Sequence, residues 1–200
     1  MRKARIFALL VIFIGLLGPA ATTTLAQETQ GGDTPVFPEN PQEGILYRLP
    51  ECDPDTASID QPCYVILFSH IDQDISSDQA KLENTKSSWT ITCGVNVKNA
   101  AQTLVAKLWQ DINASWNQSG SWYFPSVNWK SRGTWTKDWR YTWSGLSGPY
   151  YDGGGTQSKI YSTSGTLKYL GINWSGWKVS TTLWNTTSPP SWSCNWNKLW

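Results

Sequence analysis

Apolar and polar positions alternate along most of the chain, which is the pattern of strands that bury one face. Glycine and serine separate the alternating segments, so most of these segments are followed by residues that favour turns. In chain order the segments are 45–49, 64–68, 89–97, 122–124, 139–143, 159–163, 166–172, 177–183 and 192–196. This pattern predicts an all-β fold, namely an antiparallel β-sandwich of Ig-like or jelly-roll-like type with an irregular N-terminal extension.

One segment, 103–116, fits two periods. Its apolar residues recur every four positions from Leu104 to Trp116, as on a helix, but they also fall on one face of a strand. Because the flanking segments are strand-like, we predict one long strand with room for a bulge. Segment 145–155 contains three consecutive glycines and is predicted as a loop, and 77–85 is predicted to make a helical turn or two.

The N-terminus has the three parts of a secretory signal peptide. Arg2, Lys3 and Arg5 precede an apolar run over 6–17, and small residues follow up to Ala26, where we place the cleavage. The alternative is an uncleaved anchor, but a run of about twelve residues is shorter than the roughly 20 that a membrane helix needs. We therefore expect a secreted protein, either extracellular or associated with the cell envelope.

Composition divides the chain into four expected regions. After the signal peptide (1–26) comes a disordered acidic leader, 27–43, which is rich in proline and glycine. The next region, 44–88, is acidic and contains two cysteines, and we expect it to pack on the main domain. The main domain, 89–200, is basic and rich in tryptophan.

The cysteines predict two disulfides. An even number of cysteines in an exported chain favours pairing, and three pairings of four cysteines exist. We favour Cys52–Cys63, which closes a short loop, and Cys93–Cys194, which ties the first strand of the main domain to its last. With one histidine and no C-x-x-C pair, the sequence indicates no metal site and no cofactor.

Charge is distributed unevenly along the chain. Residues 27–83 hold twelve acidic and two basic residues, whereas 84–200 hold eleven basic and three acidic residues. Such asymmetry indicates a partner of opposite sign. That partner is either internal, with the acidic part lying against the basic part, or external, such as an anionic envelope polymer, an acidic polysaccharide or an anionic lipid. Export disfavours nucleic acid. The simpler alternative is a solvated acidic leader beside a mildly basic domain.

Tryptophan provides the candidate binding residues. The chain has fourteen, and thirteen follow residue 100. Tryptophan suits a core, a membrane interface or a platform on which sugar rings stack. The stretch in which aromatic and cationic residues alternate most closely supplies the candidate contact surface, whose members are Trp129, Lys130, Arg132, Trp135, Trp139, Arg140, Trp143, Tyr150 and Tyr151. The alternative is structural, with these tryptophans packed inward and the cations facing water.

Residues for catalysis are scarce. His70 is the single histidine, and no G-x-S-x-G turn accompanies it. A glycosidase needs two carboxyl groups across a cleft. The main domain offers only Asp111, Asp138 and Asp152, of which the pair Asp111 and Asp152 is the one conceivable set.

These observations favour a non-catalytic function. Our first hypothesis is a β-sandwich that binds an extracellular or cell-envelope glycan, or another anionic polymer, through tryptophan, tyrosine and basic residues. The second is a secreted membrane-active or toxin-like protein that uses the same residues at a lipid surface. The third is a glycan hydrolase.

Overall fold

The structure is a computed structural model, and it describes most of the chain after residue 40. The described residues are Thr34, Val36, 41–53, 55–74, 88–187 and 191–200. The expected signal peptide, most of the expected leader and the helical turn expected within 77–85 lie outside them.

Nine antiparallel strands make up the described fold, and they form two sheets. Sheet A is β1 (Leu46–Arg48), β2 (Pro62–Asp74), β3 (Ser88–Asn99), β4 (Leu104–Ser119) and β5 (Trp122–Thr136), and sheet B is β6 (Tyr141–Tyr151), β7 (Ser158–Tyr169), β8 (Ile172–Trp184) and β9 (Trp192–Lys198). The all-β prediction and the two-sheet sandwich are thereby confirmed. Within the ranges described above, no helix is long and apolar enough to span a bilayer.

Strand order is the simplest that two sheets allow. Within each sheet every strand pairs with its neighbours in sequence, and the chain crosses between sheets once, from β5 to β6. Ig-like and jelly-roll sandwiches use Greek-key connections instead. The described strands are therefore joined mainly by local turns, which keeps the residues of each sheet close together in sequence.

The ambiguous segment 103–116 is a strand, as predicted, because β4 pairs with β3 and β5 along nearly its whole length. The loop predicted over 145–155 is wrong in its first half, since β6 continues to Tyr151 with two irregularities in its register. Gly148 has φ = 82°, and a Cβ there would lie 2.2 Å from the carbonyl oxygen of Ser162. This glycine therefore permits close strand pairing rather than marking a loop.

The core lies between the inner faces of the two sheets. Alternate residues of β2, β3 and β4 are fully buried on one side, and the matching residues of β7, β8 and β9 meet them. Trp196 is 8% exposed, and Trp192 packs at the core edge on the same face as Cys194. Trp192, Cys194 and Trp196 alternate along β9 and therefore share its inward face.

Two disulfides are present, with the predicted pairing. Cys52–Cys63 closes the loop between β1 and β2, and Cys93–Cys194 joins β3 of sheet A to β9 of sheet B. Such bonds are typical of proteins that fold in an oxidising compartment.

A buried polar contact accompanies the disulfide that joins the sheets. The amide Nε2 of Gln110 donates to Thr181 Oγ1 at 2.7 Å and to the carbonyl oxygen of Tyr161 at 2.9 Å. The hydroxyl of Thr181 in turn lies 3.2 Å from Cys93 Sγ. Buried hydrogen bonds of this kind favour one alignment of the two sheets, because a shifted register would leave polar groups unpaired.

The acidic region before residue 88 is part of the sandwich. It supplies β1 and β2, and β2 pairs with β3 over twelve positions. Two ion pairs join it to the basic part, Asp60 with Arg140 and Glu51 with Lys198. Part of the charge asymmetry is therefore neutralised within the molecule.

We expect removal of the Cys93–Cys194 disulfide to destabilise the protein more than removal of Cys52–Cys63. The two bonds join residues 101 and 11 positions apart, and the chain-entropy model gives about 4.7 kcal/mol for a loop of about 100 residues but only about 3 kcal/mol or less for a short one. Urea unfolding of the two double Cys→Ala variants measures the difference. Equal losses of unfolding free energy would contradict the expectation.

Candidate ligand-binding face

The outer face of sheet A turns away from sheet B and combines aromatic and polar side chains. Residues that are paired across neighbouring strands point to the same face of the sheet. The strand register therefore identifies the rows of side chains on this outer face. From β2 to β5 the rows are Asp72–Thr90–Asn113–Trp129, His70–Thr92–Asp111–Ser131, Phe68–Gly94–Trp109–Gly133 and Ile66–Asn96–Lys107–Trp135.

Two aromatic rings of this face lie over glycines of the next strand. A Cβ on Gly133 would lie 2.0 Å from Trp109 Cζ2, and a Cβ on Gly94 would lie 2.5 Å from Phe68 Cζ. Each ring therefore occupies the space that a side chain would fill, and each keeps part of its surface exposed. With Trp135, which is 41% exposed and lies one row away, these rings form what we call the aromatic platform.

Beside the platform lies a row of polar side chains that hold one another. Asp111 accepts hydrogen bonds from Thr92 Oγ1 at 2.7 Å and from Ser131 Oγ at 3.1 Å. In the next row, Asn113 accepts from Asn128 Nδ2 at 2.8 Å. These contacts fix the orientation of the half-buried Asp111 carboxylate and of the buried Asn113 amide.

Four of the nine predicted contact residues lie on β5, and the structure divides them between its two sides. Trp129 and Trp135 face outward, with 49% and 41% of their surface exposed. Lys130 and Arg132 point to the other side, toward sheet B: Lys130 Nζ lies 5.1 Å from the ring centroid of Tyr161, and Arg132 Nη1 donates to the carbonyl oxygen of Gly148 at 2.9 Å. These two cations therefore link β5 of sheet A to β7 and β6 of sheet B.

Trp139 and Arg140 lie in the turn between β5 and β6. Trp139 is 79% exposed. Arg140 is held by Asp138 at 2.7 Å and by Asp60, and its hydrogen bonds to Asp138 keep the pKa of that carboxyl below its usual range. Arg140 thus has its charge matched within the molecule.

The last three predicted residues lie on β6. Trp143 is half-buried against the core, and its Nε1 donates to the carbonyl oxygen of Trp135 at 3.4 Å. Tyr150 and Tyr151 are exposed, and Tyr151 packs edge-on against Tyr161. The nine residues therefore do not form one continuous surface, and only Trp129 and Trp135 reach the outer face of sheet A.

Neither Phe68 nor Trp109 is among the nine contact residues that the sequence predicted. A signal for both exists in the sequence, since Gly94 and Gly133 interrupt strands of otherwise bulky residues. These glycines can be interpreted only when the strand register is known, because the register pairs Gly94 with Phe68 and Gly133 with Trp109.

The two carboxylates considered for hydrolysis lie on opposite faces of the molecule. Asp111 is on the outer face of sheet A, whereas Asp152 accepts from Ser162 Oγ at 2.8 Å and from Lys178 Nζ at 2.5 Å on the outer side of sheet B. Glycosidase carboxyls lie roughly 5–9.5 Å apart, and two stacked sheets are themselves about 10 Å apart. Asp111 and Asp152 therefore cannot act together on one glycosidic bond.

A depression of about 410 Å³ lies beside Asp152. Its lining includes Lys178, Ser180, Asn195 and Asn197, so it is polar.

Among the residues that the structure describes, no group of three or more potential metal ligands occurs. Comparisons of the chain with protein-family models, curated proteins and solved structures found no match.

We expect Gly133→Ala to disturb the aromatic platform, because the new Cβ would overlap the ring of Trp109. Urea unfolding should show a loss of stability, and near-ultraviolet circular dichroism should change as the indole moves. Gly155→Ala is the matched control, since a Cβ there meets nothing within 4 Å. If both variants unfold at the same urea concentration as the parent protein, the packing of the Trp109 ring does not depend on Gly133.

We expect the Asp152 ion pair to stabilise the protein at neutral pH and to lose its effect in acid. Hydrogen bonds from Lys178 and Ser162 lower the pKa of Asp152. A lowered folded-state pKa gives stability that is complete above the unfolded value of about 3.9 and lost as the pH falls through the folded value. The stability difference between the parent protein and Asp152→Asn should therefore shrink below about pH 4. A difference that stays constant from pH 7 to pH 3 would contradict this.

Proposed function

We propose that this protein is an exported, non-catalytic β-sandwich that binds a glycan on the outer face of sheet A. The observation that carries the proposal is the aromatic platform, in which Trp109 and Phe68 lie over glycines with part of each ring exposed, next to the hydrogen-bonded row around Asp111.

Sugars present two kinds of surface, and the face matches both. The C–H side of a pyranose ring stacks on an indole, and the half-buried Trp109 and the exposed Trp135 lie one row apart on neighbouring strands. Sugar hydroxyls need hydrogen-bond partners that fix orientation, and the half-buried Asp111 supplies a carboxylate in the row next to Trp109 and Phe68.

Preorganisation favours binding here. Asp111 is already held by Thr92 and Ser131, and the two rings are held by the shape of the sheet beneath them. Few side chains must be ordered when a ligand arrives, so less conformational entropy is lost on binding. Export supports an extracellular ligand, and it is inferred from the expected signal peptide and from the two disulfides.

One observation favours a lipid surface as a second candidate. At the end of the sandwich that carries the β5–β6 and β7–β8 turns, three bulky apolar side chains are exposed: Trp139 at 79%, Leu170 at 52% and Ile172 at 70%. The two turns are joined, since the Leu170 amide donates to the carbonyl oxygen of Arg140 at 2.7 Å. Exposed tryptophan at a protruding end suits a membrane interface.

We expect Trp135→Ala to weaken glycan binding about tenfold, which corresponds to roughly 1.4 kcal/mol. Retention on a panel of insoluble polysaccharides identifies a ligand, and isothermal titration with the soluble form measures the change. Trp184→Ala is the control, because Trp184 is also 41% exposed but lies on sheet B.

Two results would overturn the proposal. One is equal affinity of the two tryptophan variants for every glycan retained. The other is the absence of retention on any polysaccharide together with dye release from liposomes of phosphatidylglycerol that is lost in Trp139→Ala, which would support the lipid surface instead.

A further inference from the structure

A group of cations lies on the outer face of sheet A at the end away from Asp111 and Asp72. Arg48 and Lys98 flank Tyr64 in one row across β1, β2 and β3. Lys107 lies on β4 in the adjacent row, directly opposite Trp135. We call Arg48, Lys98 and Lys107 the basic row.

Sheet geometry sets the spacing of these charges. Neighbouring strands lie about 4.8 Å apart, so Arg48 and Lys98 are separated by about 10 Å across β2. Along β4, Asp111 lies four residues from Lys107, which is about 13 Å. The outer face is therefore divided into a basic end and an acidic, hydroxyl-rich part, with the aromatic platform between them.

The charges of the basic row are not matched within the described part of the chain. The cations with carboxylate partners there are Arg140, Lys178 and Lys198, besides His70, which pairs with Asp72 if protonated. Lys130, Arg132 and Lys159 contact an aromatic ring or backbone carbonyls. None of the residues in the basic row forms an ion pair with a described residue.

We propose that the ligand of this face is an acidic polysaccharide whose carboxylate or sulfate groups bind the basic row. This inference rests on the proposed glycan-binding function and narrows it to a ligand class. One sugar ring stacks on Trp135, and an anionic group of that sugar or of its neighbour meets Lys107. The chain then continues toward β1, where Lys98 and Arg48 bind further anionic groups.

The arrangement suits a polymer better than a lipid surface. Arg48, Lys98 and Lys107 are half-buried on a broad strand face rather than projecting from loops. A bilayer would need charges and apolar side chains that protrude together. A polysaccharide that lies across the strands carries an anionic group on successive sugars. Those groups match the cations of the basic row, which lie on successive strands beside the exposed indole of Trp135.

The test compares polysaccharides that share a backbone and differ in charge. Dextran sulfate is compared with dextran, and polygalacturonate with its methyl ester, by isothermal titration at 50 mM and 500 mM NaCl. We expect the parent protein to bind at least one acidic form at least tenfold more tightly than its neutral counterpart. That preference should fall at high salt, because exposed charges are then screened.

The variant Lys98→Gln/Lys107→Gln should lose the preference for the acidic form and retain the affinity for the neutral form. The control is Lys137→Gln/Lys168→Gln, which removes the same charge away from the basic row, since Lys137 follows β5 and Lys168 lies on sheet B. Circular dichroism and urea unfolding show whether each variant is folded. If Lys98→Gln/Lys107→Gln does not fold, the single variants Lys98→Gln and Lys107→Gln replace it.

The two proposals fail in different ways. Equal binding of acidic and neutral forms, or an equal loss in both lysine variants, overturns the acidic ligand but leaves glycan binding intact if Trp135→Ala still weakens it. If Trp135→Ala has no effect on any glycan, the proposed function itself fails. Tighter binding to oligo(dT) or to phosphatidylglycerol vesicles than to either acidic polysaccharide, lost in Lys98→Gln/Lys107→Gln, also overturns the acidic polysaccharide.

Discussion

Burial of the inner face of sheet A against sheet B is the constraint on which the rest of the structure depends. Side chains alternate between the two faces of a strand, so once Cys93, Gln110 and their neighbours are buried, every second residue must face outward. The disulfide to Cys194 and the hydrogen bond to Thr181 hold that alignment. A shift by one residue in β4 would bury Trp109 and expose Gln110, and the aromatic platform would not exist.

The same alternation explains why two glycines shape the outer face of sheet A. Trp109 faces outward with no second layer of the described fold to cover it, and it is accommodated because the facing residue of β5 is Gly133. Phe68 and Gly94 repeat the arrangement one strand pair away. Glycine in a strand interior is usually unfavourable. Here two glycines of one row each leave room for an aromatic ring that packs against the sheet.

Charge is used in two ways in this protein. Asp60 and Glu51 pair with Arg140 and Lys198, so part of the acidic region stabilises the sandwich. The basic row of Arg48, Lys98 and Lys107 has no such partner among the described residues and remains open to an anionic ligand. The expectation of an internal acid–base contact and that of an external anionic partner are thus compatible, because they involve different cations.

Alternation, turn residues and cysteine spacing are local properties, and for that reason the sequence alone indicated most of the strands, the sandwich class and the favoured disulfide pairing. It placed Trp129 and Trp135 among the contact residues, but it grouped them with Lys130 and Arg132, which point to the opposite side of β5. Only the tertiary structure decided which residues of different strands share a row. Rows depend on the register between strands, and register is set by burial across the whole sheet. The pairing of Trp109 with Gly133 and the row of Arg48, Tyr64 and Lys98 became visible only there.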